Sequence, residues 1–312
     1  MNILVIPPFN AAQKAMLEAG APGAAFTYAE VRDVTDEQIA AADVIVGNLP
    51  AARLAQARRL RLLQLNSAGY DAYMAPGTVP AGAALASAVG AYGQAVSEHL
   101  YAMLLMLMKR LDGYRDDQRA HVWTDRGAVA TLAGAQVLVL GAGDIGCHFA
   151  QLASAHGAHV TGVRRHAGAA PQGFERICTM GELHDLLPKA DVVVSILPSA
   201  PGTRGLVDAR FLSSCKRGAY FVNGGRGDLV VQADLIAALE SGRLAGAALD
   251  VTVPEPLPAD DPLWDAPNIL ITPHVAGQFH LYTVLDNIAR IAGENLRRLA
   301  AGEPLLNEVA LP

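Results

Sequence analysis

Short apolar runs alternate along the chain with segments of helical periodicity. The early runs cover residues 3–6, 44–46, 62–65 and 84–86, and the later ones cover 137–140, 160–163, 192–196, 219–222, 247–249 and 269–271. Most of these runs are continuously apolar, which is typical of strands that are buried on both faces of a parallel sheet. The alternation of such strands with helices predicts an α/β fold.

The number of apolar runs favours two sheets over one. About ten strands would exceed the ~4–6 strands of a typical sheet, and a Gly/Pro-rich stretch before Ser97 supplies a break between the two sets. A single long helix, rich in Leu and Met, is predicted after the break at residues 95–119. A last helix is predicted at residues 281–300, where apolar side chains recur on one stripe.

Composition and charge narrow the class of protein. With 312 residues, of which 52% are hydrophobic and 17% charged, the chain has enough apolar material for two packed domains and is not disordered. The net charge of −6 shows no basic excess, so we expect no nucleic-acid partner. The three cysteines are isolated in the sequence, which argues against disulfide bonds and against a metal site.

The sequence gives no sign of a membrane segment. Its most apolar run, residues 100–108, is far shorter than the ~20 residues that span a bilayer. The first residues carry no basic leader of the kind that begins a signal peptide. We therefore expect a cytoplasmic protein without a membrane partner.

A strand that leads directly into a G-x-G-x-x-G motif indicates a dinucleotide site. The run at 137–140 precedes Gly141, Gly143 and Gly146, and a helix is predicted to follow them. The first glycine permits the tight turn, the second lets the backbone approach a pyrophosphate, and the third lets the helix pack closely on the strand. The alternative, a strand–helix turn without a ligand, fits this context less well.

The residues after the next strand bear on the choice of cofactor. Proteins that bind NAD usually place a carboxylate there, which accepts a hydrogen bond from the ribose 2′-hydroxyl. Here Arg164 and Arg165 follow the strand, and no Asp or Glu lies between Ile145 and Phe174. Because a guanidinium pairs well with a 2′-phosphate, we expect NADP to be preferred, with NAD also possible. The alternative is a solvated basic loop that accepts either cofactor.

Three titratable residues follow three successive predicted strands. Arg226, Glu255 and His274 come after the runs at 219–222, 247–249 and 269–271. The carboxyl ends of neighbouring parallel strands share one edge, so we expect these side chains to converge. Such a trio suits the reduction of a 2-keto acid: a protonated imidazole donates to the carbonyl oxygen, a carboxylate supports the imidazole, and an arginine binds the substrate carboxylate.

The other eight histidines are expected to be solvated or structural. They are His99, His121, His148, His156, His159, His166, His184 and His280.

Four segments together resemble the D-isomer-specific 2-hydroxyacid dehydrogenases. They are GAGDIG at 141–146, NGGRG at 223–227, DVTVPEPL at 250–257 and PHVAG at 273–277, and they match in order and spacing. Upstream, NSAGYD at 66–71 is similar to that family's substrate-carboxylate loop, and SEH at 97–99 to the start of its interdomain helix.

The resemblance implies a fold and a domain arrangement. It predicts two doubly wound parallel-sheet domains, in which a Rossmann cofactor domain is inserted into a smaller, flavodoxin-like substrate domain. The dinucleotide-binding domain is expected at residues 95–280, and the substrate-binding domain at residues 1–94 and 281–312.

The resemblance also implies the activity and the roles of individual residues. The expected reaction transfers a hydride between NAD(P)H and a small 2-keto acid, closest in character to NADP-using glyoxylate/hydroxypyruvate reductases. Arg226, Glu255 and His274 are the expected catalytic residues, and the substrate is expected to contact Arg226, His274 and the backbone of Ser67, Ala68 and Gly69. The expected cofactor contacts are Gly141, Gly143, Asp144, Ile145, Gly146, Arg164, Arg165, Leu197, Pro198, Thr203, Asp250 and Gly277.

Some departures from the family pattern leave the substrate open. Val231 and Gln232 replace a familiar acidic pair, and Gln278 to His280 replace a run of small and hydroxyl residues. Two other interpretations remain: a non-catalytic nucleotide-sensing protein of the same fold, and a short enzyme similar to phosphoglycerate dehydrogenases. A formate dehydrogenase of this fold is disfavoured by Glu255.

We also expect a homodimer built on the cofactor domain. The helix predicted at 95–119 is too rich in Leu and Met for a solvated arm, and two-fold dimers are the commonest oligomers. His121 to Trp123 lie where members of the family carry a Trp near the dimer arm. The alternative is that this helix packs only within its own chain.

Overall fold

The structure is a computed structural model that describes all residues from Met1 to Pro312. The chain divides into two compact units. Unit 1 consists of residues 1–92 and 278–312, and unit 2 consists of residues 93–277. The assignment of one unit to the substrate and the other to the dinucleotide stays a prediction.

Unit 1 contains a six-stranded sheet in the order β13-β5-β4-β3-β1-β2. All its strand pairs are parallel except β13–β5, which is antiparallel. Its elements in chain order are β1 (Asn2–Val5), α1 (Ala11–Glu18), β2 (Ala25–Tyr28), α2 (Asp36–Ala41), β3 (Val44–Val46), β4 (Leu62–Gln64), β5 (Ala84–Ala86), α9 (Tyr282–Ala301) and β13 (Glu308–Val309).

Unit 2 contains a seven-stranded, wholly parallel sheet in the order β12-β11-β10-β9-β6-β7-β8. Its elements are α3 (Gly93–Met108), α4 (Leu111–Ala120), β6 (Gln136–Leu140), α5 (Asp144–Ala155), β7 (His159–Arg164), β8 (Arg176–Thr179), α6 (Leu183–Leu186), β9 (Val192–Ser195), α7 (Ala209–Ser214), β10 (Ala219–Asn223), α8 (Gln232–Glu240), β11 (Leu244–Leu249) and β12 (Ile269–Ile271).

Six short 3₁₀ helices connect these elements. They lie at Ala51–Gln56, Asp71–Tyr73, Met180–Glu182, Leu187–Lys189, Gly227–Leu229 and Pro262–Asp265. None of the helices has both the length and the apolar composition needed to cross a lipid bilayer.

The strand order of unit 2 reverses at β6. This strand pairs with β7 on one side and with β9 on the other. In doubly wound sheets, ligands bind outside the carboxyl ends of the strands at such a reversal. The loop that follows β6 is therefore the place in unit 2 where a ligand site is expected.

The α/β fold with two parallel sheets is as the apolar pattern predicts, since each of the ten predicted runs overlaps a strand. Three strands are absent from that prediction, namely β2, β8 and β13, and all three are edge strands of their sheets. Edge strands bury less surface: β2 alternates exposed and half-buried positions, and β13 has two residues. They therefore lack the continuous apolar run that marks a central strand.

The prediction of one long helix at residues 95–119 is wrong. The segment forms α3 and α4, which are separated at Arg110 by a left-handed backbone with φ of 55°. Burial explains the break, because α3 has nine buried residues whereas α4 has none. The polar α4 is held instead by the segment after it, where Arg126 forms two hydrogen bonds of 2.6 and 2.7 Å with Asp117.

The packing of α3 bears on the expected dimer, which was based on the apolar side chains of this segment. The apolar side chains of α3 pack within unit 2, against α5 and strands β10, β11 and β12. Their apolar character is explained by the fold of one chain. The homodimer stays a prediction.

A buried amide fastens the last helix of unit 1 to the sheet. Asn295 on α9 is fully buried, and its Nδ2 donates to Gln64 Oε1 at 2.6 Å and to the Leu306 carbonyl at 3.0 Å. Its Oδ1 accepts from the Leu306 N–H at 2.7 Å. One side chain therefore ties together β4, α9 and the segment that leads to β13.

Replacement of this amide should destabilise unit 1. Asn295→Ala leaves the buried Gln64 Oε1 and the part-buried Leu306 N–H without their partner, which should lower the free energy of unfolding by about 2–4 kcal/mol. Urea unfolding followed by circular dichroism measures this change. Asn287→Ala is the control on the same helix, because Asn287 makes a single long hydrogen bond of 3.5 Å to Ala91. Equal losses in the two variants would contradict the role of Asn295.

Candidate active site

The sheet of unit 2 gathers the candidate residues of that unit along its carboxyl edge. Gly141 to Gly146 follow β6, Arg164 ends β7, and Leu197 comes shortly after β9. Arg226, Asp250 and Glu255, and His274 follow β10, β11 and β12 respectively. Because these strands are parallel and adjacent, the residues that follow them all lie along the same edge of the sheet.

The glycine loop is shaped by two close approaches. Gly141 has φ of 105°, a conformation that favours glycine, and a Cβ there would lie 3.0 Å from the Ile196 carbonyl oxygen. A Cβ on Gly146 would lie only 2.1 Å from the Gly141 carbonyl oxygen. Gly143 differs, since a Cβ on it would meet nothing within 4 Å. The space beside Gly143 is therefore open to a ligand group such as a phosphate.

The N-terminus of α5 is open to an anion. Gly143 is its N-cap residue, and no side chain caps the helix. The N–H groups of Asp144, Ile145 and Gly146 have no acceptor within the chain, whereas the Cys147 N–H bonds to the Gly143 carbonyl at 2.8 Å. Uncapped N–H groups and the helix dipole both favour a negatively charged ligand, so these residues fit the pyrophosphate of a dinucleotide.

Two titratable side chains of α5, Asp144 and His148, face Gly93 at the start of α3. The Asp144 carboxylate lies 3.7 Å from His148 Nε2, one turn further along α5. Burial raises the pKa of the neighbouring Cys147 thiol, the charge of Asp144 raises it further, and the charge of Arg164 opposes both. The thiol is therefore protonated at neutral pH and is a poor nucleophile.

The two arginines after β7 differ in their surroundings. Arg164 is half-buried, and its guanidinium donates to the carbonyls of His166 at 3.0 Å and Ala169 at 3.2 Å. Arg165 is exposed. Arg164 therefore folds the loop around itself, while Arg165 lies at the surface beside it.

The loop after β9 is held by its own hydrogen bonds. Thr203 Oγ1 donates to the Pro198 carbonyl at 2.7 Å and accepts from the Ala200 N–H at 2.9 Å. Leu197 is buried, and Pro198 is exposed. This arrangement places a rigid, partly apolar wall at the carboxyl end of β9, between the glycine loop and Arg226.

Arg226 is fixed through its backbone. Asn223 Nδ2 donates to the Arg226 carbonyl at 2.9 Å, and Asn223 Oδ1 accepts from the Gly225 N–H at 3.2 Å. The guanidinium Nη1 donates to the Gly225 carbonyl at 2.8 Å. A buried amide at the end of β10 thus sets the course of the chain that carries the arginine.

His274 and Glu255 form a pair. His274 Nδ1 lies 2.8 Å from Glu255 Oε2, and Glu255 Oε1 accepts from the Thr252 N–H at 3.1 Å. Both side chains are part-exposed, with 48% of the histidine and 40% of the glutamate accessible. The sequence predicts this partnership, and the geometry fits a carboxylate that orients an imidazole.

Asp250 holds the loop that carries His274. It is buried, its Oδ1 accepts from the Val275 N–H at 3.0 Å, and its Oδ2 accepts from the Ala276 N–H at 3.1 Å. Its main-chain carbonyl accepts from the His274 N–H at 2.8 Å. The expected contact of Asp250 with a nicotinamide stays a prediction, as does that of Gly277, which is half-buried directly after Ala276.

Two residues beside Asp250 were not singled out by sequence reasoning. Thr272 Oγ1 donates to Asp250 Oδ1 at 2.6 Å, and His99 Nε2 lies 3.0 Å from the same hydroxyl oxygen. The sequence predicts only a solvated or structural role for His99. Because it lies 173 positions from Thr272 in the sequence, no local pattern connects the two.

In unit 1, the predicted carboxylate loop follows β4. The N–H groups of Ser67, Ala68 and Gly69 have no acceptor within the chain, and Ser67 Oγ donates to the Gly69 carbonyl at 2.6 Å. The Tyr92 hydroxyl donates to the Asn66 carbonyl, and burial raises the pKa of this phenol, so it remains a donor at neutral pH. Three adjacent N–H groups without acceptors fit an anionic group.

Comparison with known proteins identifies the family. The family model described as D-isomer specific 2-hydroxyacid dehydrogenase, NAD binding domain, matches residues 101–276, more than half of the chain. The chain is 32% identical over 268 residues to a glyoxylate/hydroxypyruvate reductase A of Photorhabdus laumondii, with 81% of each chain covered.

Solved structures agree in fold over nearly the full length. A D-isomer specific 2-hydroxyacid dehydrogenase from Xanthobacter autotrophicus, in complex with NADPH and MES, has a TM-score of 0.83 at 31% identity, covering 99% of this chain and 98% of that one. An NADPH-dependent glyoxylate/hydroxypyruvate reductase from Sinorhizobium meliloti, in complex with NADP and sulfate, has a TM-score of 0.83 at 26% identity and the same coverage.

The chain belongs to the D-isomer specific 2-hydroxyacid dehydrogenase family. It is an NAD(P)-dependent enzyme of that family, which confirms the family, the fold class and the type of reaction predicted from the sequence. The roles of individual residues are proposals.

The close approach at Gly146 gives a test of the glycine loop. Gly146→Ala forces a Cβ against a backbone oxygen, so α5 must move away from β6 and its N-terminus must leave the loop. The Kd for NADPH should rise by at least about tenfold, which is about 1.4 kcal/mol. Fluorescence titration of NADPH measures it. Ser154→Ala near the other end of α5 is the control, because Ser154 is exposed and its hydroxyl donates to the Gln151 carbonyl of the same helix. An unchanged Kd in Gly146→Ala would contradict the packing role.

Proposed function

We propose that this enzyme uses NADPH, in preference to NADH, to reduce a small 2-keto acid of the glyoxylate or hydroxypyruvate type to the D-2-hydroxy acid. The observation that carries the proposal is the 2.8 Å pair of His274 and Glu255 at the carboxyl edge of the sheet that bears the glycine loop. The names of the Photorhabdus and Sinorhizobium relatives support the choice of substrate.

The cofactor is assigned to the residues that suit its phosphates. The pyrophosphate would be held by the N–H groups at the start of α5 beside Gly143, and the 2′-phosphate by Arg164 and Arg165. Leu197, Pro198, Thr203, Asp250 and Gly277 would line the nicotinamide. When bound, the reduced nicotinamide supplies a hydride to carbon 2 of the keto acid.

His274 supplies the proton that reduction requires. The carbonyl oxygen gains negative charge as the carbonyl carbon is reduced, and a protonated imidazole donates to it, which completes the hydroxyl group. Because Nδ1 is engaged by Glu255, the transferred proton is assigned to Nε2. Glu255, itself oriented by the Thr252 N–H, keeps the ring in one orientation and stabilises its positive charge.

Arg226 binds the anionic end of the substrate. Its guanidinium is planar, permanently charged and carries five N–H donors, so it can hold the carboxylate and polarise the adjacent carbonyl. The N–H groups of Ser67, Ala68 and Gly69 in unit 1 are further candidates for a carboxylate, since they have no acceptor within the chain.

A direct assay tests the proposed function. Purified enzyme should oxidise NADPH in the presence of glyoxylate or hydroxypyruvate, as followed by absorbance of the reduced nicotinamide. His274→Ala should lower kcat by about 10²–10⁴-fold and leave the Kd for NADPH nearly unchanged, because the imidazole transfers a proton and does not hold the cofactor. Glu255→Gln should lower kcat to a smaller extent.

The exposed His184→Ala is the matched control and should retain full activity. Turnover by His274→Ala within a few-fold of wild type would disprove the acid–base role. Failure of every small 2-keto acid with both cofactors would disprove the substrate class.

The preference for NADPH should depend on the two arginines. Replacing Arg164 and Arg165 by Ala should raise the KM for NADPH by about tenfold, since one charged hydrogen bond in a partly exposed site is worth about 1.4 kcal/mol. The kcat at saturating NADPH should change little, because the 2′-phosphate is remote from the transferred hydride. Steady-state kinetics with each cofactor measure these values.

Arg176→Ala is the control for this pair, because Arg176 lies at the amino end of the neighbouring strand β8, whereas Arg164 lies at the carboxyl end of β7. The preference should also decrease at high salt, as expected for a partly exposed ion pair. Equal efficiency of wild-type enzyme with NADH and NADPH at low ionic strength would disprove the phosphate-binding role.

A further inference from the structure

His274 occupies a strained position that the surrounding bonds must maintain. Its φ is 53°, in the left-handed region, which is unfavourable for a residue with a side chain. Such a conformation persists only when neighbouring contacts determine it. In this loop they come mainly from Asp250, whose carbonyl and two carboxylate oxygens accept from the N–H groups of His274, Val275 and Ala276.

The Asp250 carboxylate is itself held in place by Thr272. The 2.6 Å bond from Thr272 Oγ1 fixes Oδ1, and the Thr272 N–H donates to the Leu249 carbonyl at 2.9 Å. The loop is therefore tied to residues that directly follow β11 and β12. This link to Asp250 depends on the orientation of the Thr272 hydroxyl.

His99 fixes that hydroxyl from the neighbouring helix. A hydroxyl has one proton, and a carboxylate only accepts, so the proton of Thr272 goes to Asp250 and its oxygen must accept from His99. The 3.0 Å contact therefore assigns a proton to His99 Nε2. His99 lies on α3, which packs against β11 and β12, and it is part-buried with 28% of its side chain accessible.

We propose that His99 is a positioning residue for the reaction: through Thr272 and Asp250 it fixes the loop at residues 272–276 and with it the imidazole of His274. The proposal rests on the proposed role of His274 as proton donor. It assigns to His99 no contact with substrate or cofactor. Its effect should therefore fall on kcat, which depends on the placement of the imidazole, more than on the binding of NADPH.

Two substitutions of His99 separate its hydrogen bond from its bulk. His99→Leu removes the Nε2 donor and should lower kcat by about 10–100-fold, since small misplacements of reacting groups have effects of this size. His99→Gln places an amide N–H at nearly the same reach and should restore kcat to within a few-fold of wild type. The KM for NADPH should stay within a few-fold in both variants.

Glu98→Ala is the matched control on the same helix. Glu98 is exposed, and its carboxylate accepts only from Gln94 Nε2, at 2.9 Å. This variant should have wild-type kcat. Thr272→Val removes the intermediate hydroxyl, and because the effect of His99 passes through it, the double variant His99→Leu/Thr272→Val should lose no more activity than Thr272→Val alone.

Hydrogen–deuterium exchange gives a readout that does not require activity. The amides of His274, Val275 and Ala276 should exchange faster in His99→Leu than in wild type, while those of the remaining unit 2 strands should not. If the wild-type enzyme reduced no 2-keto acid, the proposed function would fail, and these amides would still decide whether His99 positions the loop.

Unchanged kcat together with unchanged exchange in His99→Leu would overturn the proposal. Faster exchange throughout unit 2, with no recovery of kcat in His99→Gln, would also overturn it, because that result indicates a general role in folding. Localised exchange, recovery by Gln and a non-additive double variant would support it.

Discussion

The position of β6 between β7 and β9 is the constraint on which the proposed chemistry depends. Chain leaving β6 passes through α5 to one side of the sheet, whereas β9 pairs on the other side. The loops at the carboxyl ends of β6 and β9 therefore diverge and leave room above the sheet. Gly141 and Gly146 let α5 begin directly at this gap, so the uncapped end of the helix faces it. The other candidate residues of unit 2 follow neighbouring parallel strands, so they lie on the same side of the sheet as this gap.

The Asp250 carboxylate, which follows β11, serves both the stability of the fold and the proposed chemistry. Asp250 is a buried carboxylate, and its hydrogen bonds satisfy it while they also hold a strained loop. A protein that used this carboxylate only for stability could have a relaxed backbone at residue 274. The combination of a left-handed histidine and a carboxylate that accepts from the two following N–H groups agrees with the proposed role of His274, which requires one fixed position of the imidazole.

The sequence predicts those features that local physics controls. Central strands of a parallel sheet must be apolar on both faces, and nine of the ten predicted runs are central strands, while the tenth is the edge strand β12. A turn as tight as the one after β6 requires glycine, so the loop at residues 141–146 could be located as well. The ends of parallel strands share an edge, which brings Arg226, Glu255 and His274 to the same side of the sheet. The edge strands β2 and β13 bury too little surface to leave this signal.

Features that depend on tertiary contacts could not be predicted. Arg110, where the helix breaks, is neither Gly nor Pro, so the sequence carries no local signal for the break. The break lies where the chain changes from the buried helix α3 to the solvated helix α4. Arg164 turns toward the carbonyls of its own loop, and His99 meets Thr272 across 173 positions of sequence.

The division of unit 1 between the two ends of the chain has a consequence for its synthesis on the ribosome. Residues 93–277 contain all the strands of their own sheet and can fold as soon as they emerge. The first 92 residues lack α9 and β13 until translation reaches Val309, so they must stay incomplete while the enclosed unit folds.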